Sequence, residues 1–479
     1  MNRNLKFFLS KIWNNFFIFL LIFILIALKT PWLTLPFYWD EAWSYAMAIF
    51  DMANHGPTLI PGHANEWFTR GHPLFFYFIS SLWLTVFGKT LLSAHLFALL
   101  ISCFSLYIIH FCSKKLFSTK TANIVALSVM AQIIFIAQST LLLPEIFLMG
   151  LSAWVFYLYL QKKWIAFIAV SFCLILSKET ALVLFFALLL DTVILQKLVY
   201  RKERQYNITF YKELVFVTIP FLFFAIFLGI QKLNLGYFFF PEHTGLMTLG
   251  FKECIDKMAS ISNLLFMHHS RWIWLCFVIV AVILAIVKKR YLKKDIHIFL
   301  LSTVFIFGYI LFSSLNFFTP RYILTILPFL FMIYIPHIIK YIPSKTGAFL
   351  IGIAIGCNLY YSFFSSNGEM DFKRTFNQSI IAHKEAVNFC ESQNWQDKTI
   401  NTGFLMSFNL QYPQLGYLNN VDKPFSQCEN YEFPEIFIFY SSEINSRRDE
   451  IKENPDYILA KRIEKSNGCY VEIYKKESE

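Results

Sequence analysis

The stretch Tyr38-Trp39-Asp40-Glu41-Ala42-Trp43-Ser44-Tyr45 directly follows the first long apolar segment and contains two adjacent carboxylates. Trp and Tyr are enriched where a membrane helix meets water, so the flanking aromatic residues indicate a membrane interface. Ionisable side chains in a membrane setting are costly and usually have a function. The stretch therefore predicts a reactive site at the point where the first membrane helix ends.

The composition is that of a polytopic helical membrane protein. Of 479 residues, 57% are hydrophobic and 19% aromatic, and Phe alone accounts for 56 of them. These values exclude an ordinary soluble domain. The formal net charge is +11, but the basic residues fall mainly in short gaps between apolar runs. This spacing is the positive-inside pattern of membrane proteins and does not indicate nucleic-acid binding.

The basic clusters also predict the topology. Arg3, Lys6 and Lys11 precede a helix at about 13–27, and no small-residue cleavage site follows it, so we expect an uncleaved first helix with a cytoplasmic N-terminus. The clusters then alternate with apolar runs so that about eleven transmembrane helices are expected, among them one at about 123–142. Residues 1–366 would form this multi-pass part in the cell inner membrane, with outer loops at about 30–90 and 232–271. Residues 74–87 are too short to cross the bilayer and predict an interfacial helix.

From residue 367 onward, charged residues become frequent and the apolar runs shorten to strand length. The runs at 400–405, 436–440, 457–460 and 469–474 predict strands, and 376–393 predicts a helix. Ser466-Asn467-Gly468 predicts a hairpin turn. Residues 367–479 therefore predict a small α/β domain on the extracytoplasmic side. Its three cysteines, Cys390, Cys428 and Cys469, are enough for one disulfide, and the sequence does not decide whether it forms.

The predicted topology collects acids and bases on the outer side of the membrane. They lie at helix ends or in the outer loops: Asp40, Glu41, Arg70, His72, Glu145, Lys178, Glu179, His269 and Arg321. Such a set suits a lipid-linked anionic substrate whose phosphate lies at the level of the headgroups. Sugar transfer from that substrate requires a base for the acceptor and cations for the departing phosphate.

Several motifs resemble the GT-C fold glycosyltransferases of the family 39 type, which include protein O-mannosyltransferases and aminoarabinose transferases. They are Tyr38-Trp39-Asp40-Glu41-Ala42, His72-Pro73-Leu74, Leu143-Pro144-Glu145-Ile146-Phe147, Ser177-Lys178-Glu179-Thr180 and Pro320-Arg321-Tyr322. The resemblance covers about residues 13–340. It implies a membrane enzyme that moves a sugar from a polyprenyl-phosphate donor to a hydroxyl of a protein, a lipid or a cell-wall glycan.

The resemblance also implies roles for residues. Asp40 would be the base of an inverting transfer, and Lys178 and Arg321 would hold the carrier phosphate. The full candidate set has Asp40, Glu41 and Glu145 as catalytic residues, Lys178, Arg321 and Arg70 as phosphate ligands, and His72, Tyr45 and His269 as substrate-binding residues. A divalent cation, Mg²⁺ or Mn²⁺, is left open as a cofactor for Glu41 and Glu145.

Each residue also has a purely structural interpretation. Asp40 can cap the helix that follows it, and Glu41 and Glu145 can offset helix dipoles as first-turn acids. Lys178 and Arg321 can be cations that extend to the interface. The rival function is a transporter or flippase for lipid-linked sugars, but transporters usually have broken or ionisable midplane helices in repeated halves, which the sequence does not contain. An oligosaccharide ligase or polymerase is a second enzymatic alternative.

Overall fold

The computed structural model describes residues 15–200, 208–288, 292–364, 376–428, 431–443 and 445–477. The predicted domain boundary at 366/367 lies outside these ranges, as do Arg3, Lys6 and Lys11. The described part is mostly helical and ends in a four-stranded sheet, as the sequence predicts.

The first half of the helical part contains six of the nine predicted site residues: Asp40, Glu41, Tyr45, Arg70, His72 and Glu145. Its helices are α1 Phe16–Lys29, α2 Met47–His55, α3 Glu66–Thr69, α4 Phe75–Phe87, α5 Leu91–Leu116, α6 Thr119–Met130, α7 Ile133–Gln138, α8 Glu145–Leu160 and α9 Trp164–Ile175. The second half comprises α10 Leu182–Leu190, α11 Gln196–Tyr200, α12 Ile208–Leu235, α13 Pro241–Gly245, α14 Phe251–Phe266, α15 Arg271–Val287, α16 Lys293–Leu315, α17 Leu327–Tyr341 and α18 Ser344–Phe364.

Six helical segments of the described chain are long and apolar enough to cross a membrane. They are Leu91–Leu116, Glu179–Tyr200, Phe210–Leu235, His268–Val287, Lys293–Leu315 and Ser344–Phe364. Five shorter apolar segments accompany them: Phe16–Trp32, Phe75–Phe87, Glu145–Leu160, Trp164–Ile175 and Leu327–Tyr341. Phe75–Phe87 corresponds to the helix expected at the interface.

The helix predicted at about 123–142 is wrong in its extent. The chain breaks it between α6 and α7, where Gln132 adopts an extended backbone conformation. Gln132 is buried, and its side-chain oxygen accepts a hydrogen bond of 2.9 Å from Arg271 Nη1. Residues 139–144 then continue without a helix to the first residue of α8, Glu145. A buried polar partner from another helix, invisible in the local pattern, therefore ends the predicted helix early.

The backbone at the Asp40 stretch is irregular. Trp39 has a positive φ of 52°, and Glu41–Ala46 form a π-helical turn that leads into α2. π-turns are rare and frequently occur at functional sites. Consecutive side chains on a helical turn point in different directions, so Asp40 and Glu41 contact different partners.

Loop 1 (residues 30–90) and loop 2 (residues 232–271) pack against each other. Asn234 Nδ2 donates to the carbonyl of Pro61 at 2.7 Å, and the Tyr237 hydroxyl donates to Glu66 at 3.1 Å. Gly71, at φ 68°, allows close approach, because a Cβ there would lie 3.1 Å from that of Phe240. Loop 2 therefore covers the part of loop 1 that precedes α4.

The C-terminal domain contains α19 Phe376–Ser392, β1 Ile400–Thr402, α20 Phe404–Gln411, β2 Ile436–Tyr440, α21 Arg447–Glu453, β3 Tyr457–Glu464 and β4 Tyr470–Lys476. The sheet order is β1-β2-β4-β3, with β1 and β2 parallel and the other pairs antiparallel. The predicted hairpin turn at Ser466-Asn467-Gly468 joins β3 and β4. The strand predicted at 400–405 is too long, because the chain turns at Gly403 into α20. All nine cysteines lie in the described ranges and are free, so the disulfide left open does not form in the structure.

Candidate functional site

Four charged side chains from four separate segments form a chain of ion pairs at one end of the helical part. Arg321 Nη2 donates to Asp40 Oδ2 at 2.5 Å, and Lys178 Nζ donates to Glu145 Oε1 at 2.9 Å. Arg321 Nε lies 3.4 Å from the same Glu145 oxygen and joins the two pairs. We call Asp40, Glu145, Lys178 and Arg321 the charge cluster.

Local structure brings these side chains to the same end. Glu145 begins α8 directly after Pro144, and Lys178 lies in extended backbone between α9 and the 3₁₀ turn Glu179–Ala181. Arg321 belongs to the 3₁₀ turn Pro320–Thr325 that precedes α17. Asp40 directly precedes the π-turn. Each residue therefore lies at the start of a helical segment.

Burial distinguishes Asp40 from the other three members. The side chains of Glu145, Lys178 and Arg321 are 2%, 3% and 6% exposed, whereas that of Asp40 is 30% exposed. The Lys178 ammonium also lies 4.0 Å from the centroid of the Tyr322 ring, which favours a cation there. Asp40 is therefore the member of the charge cluster that a bound molecule can reach.

The surroundings of Asp40 keep its carboxylate ionised. Burial alone would raise the pKa of Asp40, but the charge of Arg321 and hydrogen bonds from Arg321 and Trp43 lower it below the ordinary value. Trp43 Nε1 donates to Asp40 Oδ1 at 3.1 Å. One turn of the irregular helix thus supplies both the carboxylate and a donor that orients it. From its sequence context, Trp43 is predicted only to anchor the chain at the membrane interface.

Arg70 lies beside the charge cluster in loop 1. Its guanidinium lies 4.7 Å from the centroid of the Trp43 ring, and it pairs with Glu242 of loop 2. The Arg70 side chain is 18% exposed, and its buried Nε has no hydrogen-bond partner in the described part of the chain. Arg70 therefore keeps a donor available next to the Asp40 stretch.

His72 lies in the same region, because it pairs with Glu179, the residue after Lys178. Its Nδ1 lies 3.0 Å from Glu179 Oε2, and its ring centroid lies 4.8 Å from that of His243 in loop 2. Burial lowers the pKa of His243 to about 4, and the nearby charge of Arg70 acts in the same direction, so this imidazole is neutral at pH 7. The pair of His72 and Glu179 fixes the orientation of the His72 ring beside a neutral partner.

Glu41 points away from Asp40 although it is the next residue. It is buried, and its Oε1 accepts hydrogen bonds from the backbone N–H of Leu142 at 2.6 Å and from His95 Nε2 at 3.1 Å. His95 in turn contacts the carbonyl of Leu33 through Nδ1 at 3.0 Å. Glu41 thus ties the beginning of loop 1 to α5 and to the segment before Glu145.

The remaining two predicted substrate-binding residues lie in different places. Tyr45 is buried and stacks on Tyr77, with ring centroids 5.2 Å apart, and it is near enough to Lys178 for that charge to act on its hydroxyl. His269 has a positive φ of 52°, its carbonyl accepts a hydrogen bond from Asn358 of α18, and its ring packs against Tyr361 of the same helix. The structure therefore brings Tyr45 to the charge cluster and sets His269 against α18.

The side chains of this site do not form a ligand set for the divalent cation, Mg²⁺ or Mn²⁺, considered for Glu41 and Glu145. Within the described ranges, no group of three His, Cys, Asp or Glu side chains is arranged to hold a metal ion. Glu145 already faces two cationic side chains, and Glu41 faces His95 and a backbone N–H. Lys178 and Arg321 therefore supply the positive charges that balance the acids of the charge cluster.

Comparison with known proteins agrees with this fold. Residues 71–232 match the family model described as dolichyl-phosphate-mannose-protein mannosyltransferase, and this range includes His72, Glu145 and Lys178. The crystal structure of apo ArnT from Cupriavidus metallidurans superposes with a TM-score of 0.55 at 14% identity, covering 95% of this chain and 97% of that one. No curated protein matches the sequence.

The same ArnT bound to undecaprenyl phosphate superposes with a TM-score of 0.57 at 12% identity, covering 96% of this chain and 98% of that one. These likenesses extend over the helical part and the C-terminal domain together. The chain is therefore a membrane protein with the GT-C glycosyltransferase fold, similar over residues 71–232 to the mannosyltransferase family.

Proposed function

We propose that the protein is an integral membrane glycosyltransferase that moves a sugar from a polyprenyl-phosphate carrier to a hydroxyl of a protein, lipid or cell-wall glycan. The observation that carries the proposal is the charge cluster, in which the accessible carboxylate of Asp40 touches a guanidinium. A base beside a cation is what transfer from a phosphate leaving group requires. The ArnT structure bound to undecaprenyl phosphate supports a donor of this class.

In this reaction Asp40 accepts the proton of the acceptor hydroxyl. The acceptor oxygen then forms a bond to the anomeric carbon of the sugar, on the side opposite the carrier. The bond between that carbon and the phosphate oxygen breaks, and the phosphate leaves with the electron pair. A single displacement of this kind inverts the configuration of the sugar. The low pKa of Asp40 keeps its carboxylate in the proton-accepting form.

Arg70 and Arg321 suit the carrier phosphate best. Arg321 touches Asp40, so a phosphate bound to it would lie beside the base. Arg70 is balanced by Glu242, whose side chain is half exposed, and it retains a donor within the site. Lys178 is held by Glu145 and acts on the phosphate from deeper in the cluster. Arginine is well suited to phosphate because its planar donors bind two oxygens at once.

We assign His72 and Tyr45 to substrate binding. The His72 ring, oriented by Glu179, can exchange hydrogen bonds with a sugar hydroxyl. We further propose that the site opens to the outer face of the cell inner membrane. The N-terminus would then be cytoplasmic, and the C-terminal domain would lie outside with the acceptor.

The test is sugar transfer by membranes that carry the wild-type protein, Asp40→Asn or Asp51→Asn, supplied with radiolabelled polyprenyl-phosphate sugars. Asn preserves the shape of Asp40 and its ability to accept from Trp43, but it removes the basic carboxylate. Asp51 is the matched control, because it lies in α2 outside the charge cluster. We expect transfer by the wild-type protein and by Asp51→Asn. In folded Asp40→Asn we expect at least a hundredfold loss, which is the lower limit of the usual contribution of a general base (~100- to 10,000-fold).

Two results would contradict the proposal in different ways. Equal transfer by the wild-type protein and Asp40→Asn would reduce Asp40 to a structural residue and make Glu145 the next candidate. If no variant transfers sugar while the lipid-linked sugar crosses sealed vesicles, the protein is a transporter.

A further inference from the structure

The residues that flank Asp40 are held by the C-terminal domain. Trp39, immediately before Asp40, has a positive φ of 52°, which is unusual for a bulky residue. Such conformations persist only where the surroundings hold them, and they cluster at functional sites. Asp40 therefore depends for its position on whatever fixes the chain at residues 38 and 39.

Tyr38 provides this attachment. It is 1% exposed, and its hydroxyl lies 2.8 Å from Ser442 Oγ, just after β2. Its ring packs edge-on against Phe376 and His383 of α19, with centroid distances of 5.1 and 5.2 Å. The side chain is thus buried among residues of the C-terminal domain.

Neighbouring residues of the same stretch meet this domain as well. The backbone N–H of Phe37 donates to the carbonyl of Leu415 at 3.1 Å. The Trp43 ring, whose N–H orients Asp40, packs edge-on against Phe404 of α20 at 5.5 Å. The C-terminal domain therefore contacts the chain on both sides of Asp40.

We propose that the C-terminal domain holds Asp40 in its reactive position and that Tyr38 is the positioning residue through which it acts. Tyr38 does not touch the reacting atoms. Its anchored ring fixes the backbone of the strained Trp39. The backbone of Trp39 in turn sets the direction in which the Asp40 side chain points. This inference rests on the proposed function, since it assigns a positioning role in that reaction.

The test compares Tyr38→Phe with Tyr457→Phe in the full-length protein. Both substitutions remove one phenolic hydroxyl: that of Tyr38 contacts Ser442, and that of Tyr457 donates to the carbonyl of Pro434 at 2.8 Å. Tyr457 lies in the second, separate cluster of the C-terminal domain core, away from the Asp40 stretch. It therefore controls for loss of a hydrogen bond in the same domain.

Two measurements are made on each variant. The first is kcat and KM for the radiolabelled polyprenyl-phosphate sugar that the wild-type protein uses. The second is amide hydrogen exchange of residues 37–46, which needs no activity. For Tyr38→Phe we expect kcat to fall roughly tenfold, as small misplacements of catalytic groups cost up to ~100-fold, with KM within about twofold. Exchange at 37–46 should become faster, and Tyr457→Phe should change neither quantity.

Ser442→Ala is the second variant, because Ser442 is exposed and its loss leaves the Tyr38 side chain intact. Ser442→Ala should also lower kcat and make amide exchange at residues 37–46 faster. Unchanged kcat and unchanged exchange in both Tyr38→Phe and Ser442→Ala would overturn the inference, as would an equal fall of kcat in Tyr457→Phe. If the wild-type protein transfers no sugar, the proposed function fails, and the exchange data alone decide whether the domain fixes the stretch.

Discussion

Replacing Glu145 by Gln tests the charge cluster most directly. Glu145 Oε1 lies 2.9 Å from Lys178 Nζ and 3.4 Å from Arg321 Nε, and the side chains of all three residues are nearly inaccessible. Removing one member of a buried ion pair costs about 3–5 kcal/mol, because the remaining charge has no compensation. The Gln oxygen can still accept from Lys178, which returns roughly 1–2 kcal/mol. Taking the middle of both ranges, the net destabilisation of the native cluster is about 2–3 kcal/mol.

This free energy corresponds to a factor of roughly 30 to 150. We expect Glu145→Gln to lower the thermal unfolding midpoint of the purified protein in detergent and to reduce kcat/KM for sugar transfer by a factor in this range. The matched control is Glu213→Gln. Glu213 is as buried as Glu145, but its partner Lys162 has a side chain that is 56% exposed and can turn to water, so the loss there should be smaller.

The double variant Glu145→Gln/Lys178→Met separates stability from chemistry. It removes both members of the pair, and neutral replacement of a buried pair is often nearly neutral in stability. We expect the unfolding midpoint to return toward that of the wild-type protein, whereas transfer stays low because a phosphate ligand is lost. If the double variant is less stable than Glu145→Gln alone, or if Glu145→Gln matches the wild-type protein in both measurements, the ion-pair reasoning is refuted.

Three further predictions concern the same site. In Arg321→Gln, Asp40 loses the charge that holds its pKa low, so the acidic limb of the pH profile of kcat/KM should move to higher pH; an unmoved limb would show that Asp40 is not the titrating base. Glu41→Gln should lower the yield of folded protein, by roughly 1–3 kcal/mol of stability, while the folded fraction keeps its kcat, because Glu41 braces His95 and not the substrate. A fall in kcat without loss of stability would return Glu41 to the catalytic set. Arg70→Gln should raise the KM for the donor more than it lowers kcat, and steady-state kinetics at constant ionic strength would contradict this if only kcat changes.

The distribution of charge along the sequence was sufficient to predict the gathering of Asp40, Glu145, Lys178 and Arg321. Each of these residues follows an odd-numbered apolar run. If the chain crosses the membrane at every run, the ends of the odd-numbered runs lie on the same side. Acids and bases buried at neighbouring helix ends favour pairing with one another, because an unpaired buried charge is costly. This reasoning does not depend on the details of packing, so it holds despite errors in helix boundaries.

Local features depended on distant partners, which is why the sequence did not reveal them. Glu41 resembles Asp40 in sequence, but the π-turn directs it to Leu142 and His95 instead. The end of α6 depends on the hydrogen bond between Gln132 and Arg271, residues separated by 139 positions. The role of Tyr38 had no local signal, because an aromatic residue at a membrane interface is expected in any case.

The contact between Tyr38 and Ser442 also has a consequence for biosynthesis. The two residues are 404 positions apart, so the ribosome makes the second long after the first. At about 5–20 residues per second, this interval lasts roughly 20 to 80 s. Once Arg321 has been made, the nascent chain contains every member of the charge cluster but still lacks the domain that fixes Asp40. Sugar transfer would therefore begin only after the C-terminal domain has been made, so that chains without this domain do not consume the donor.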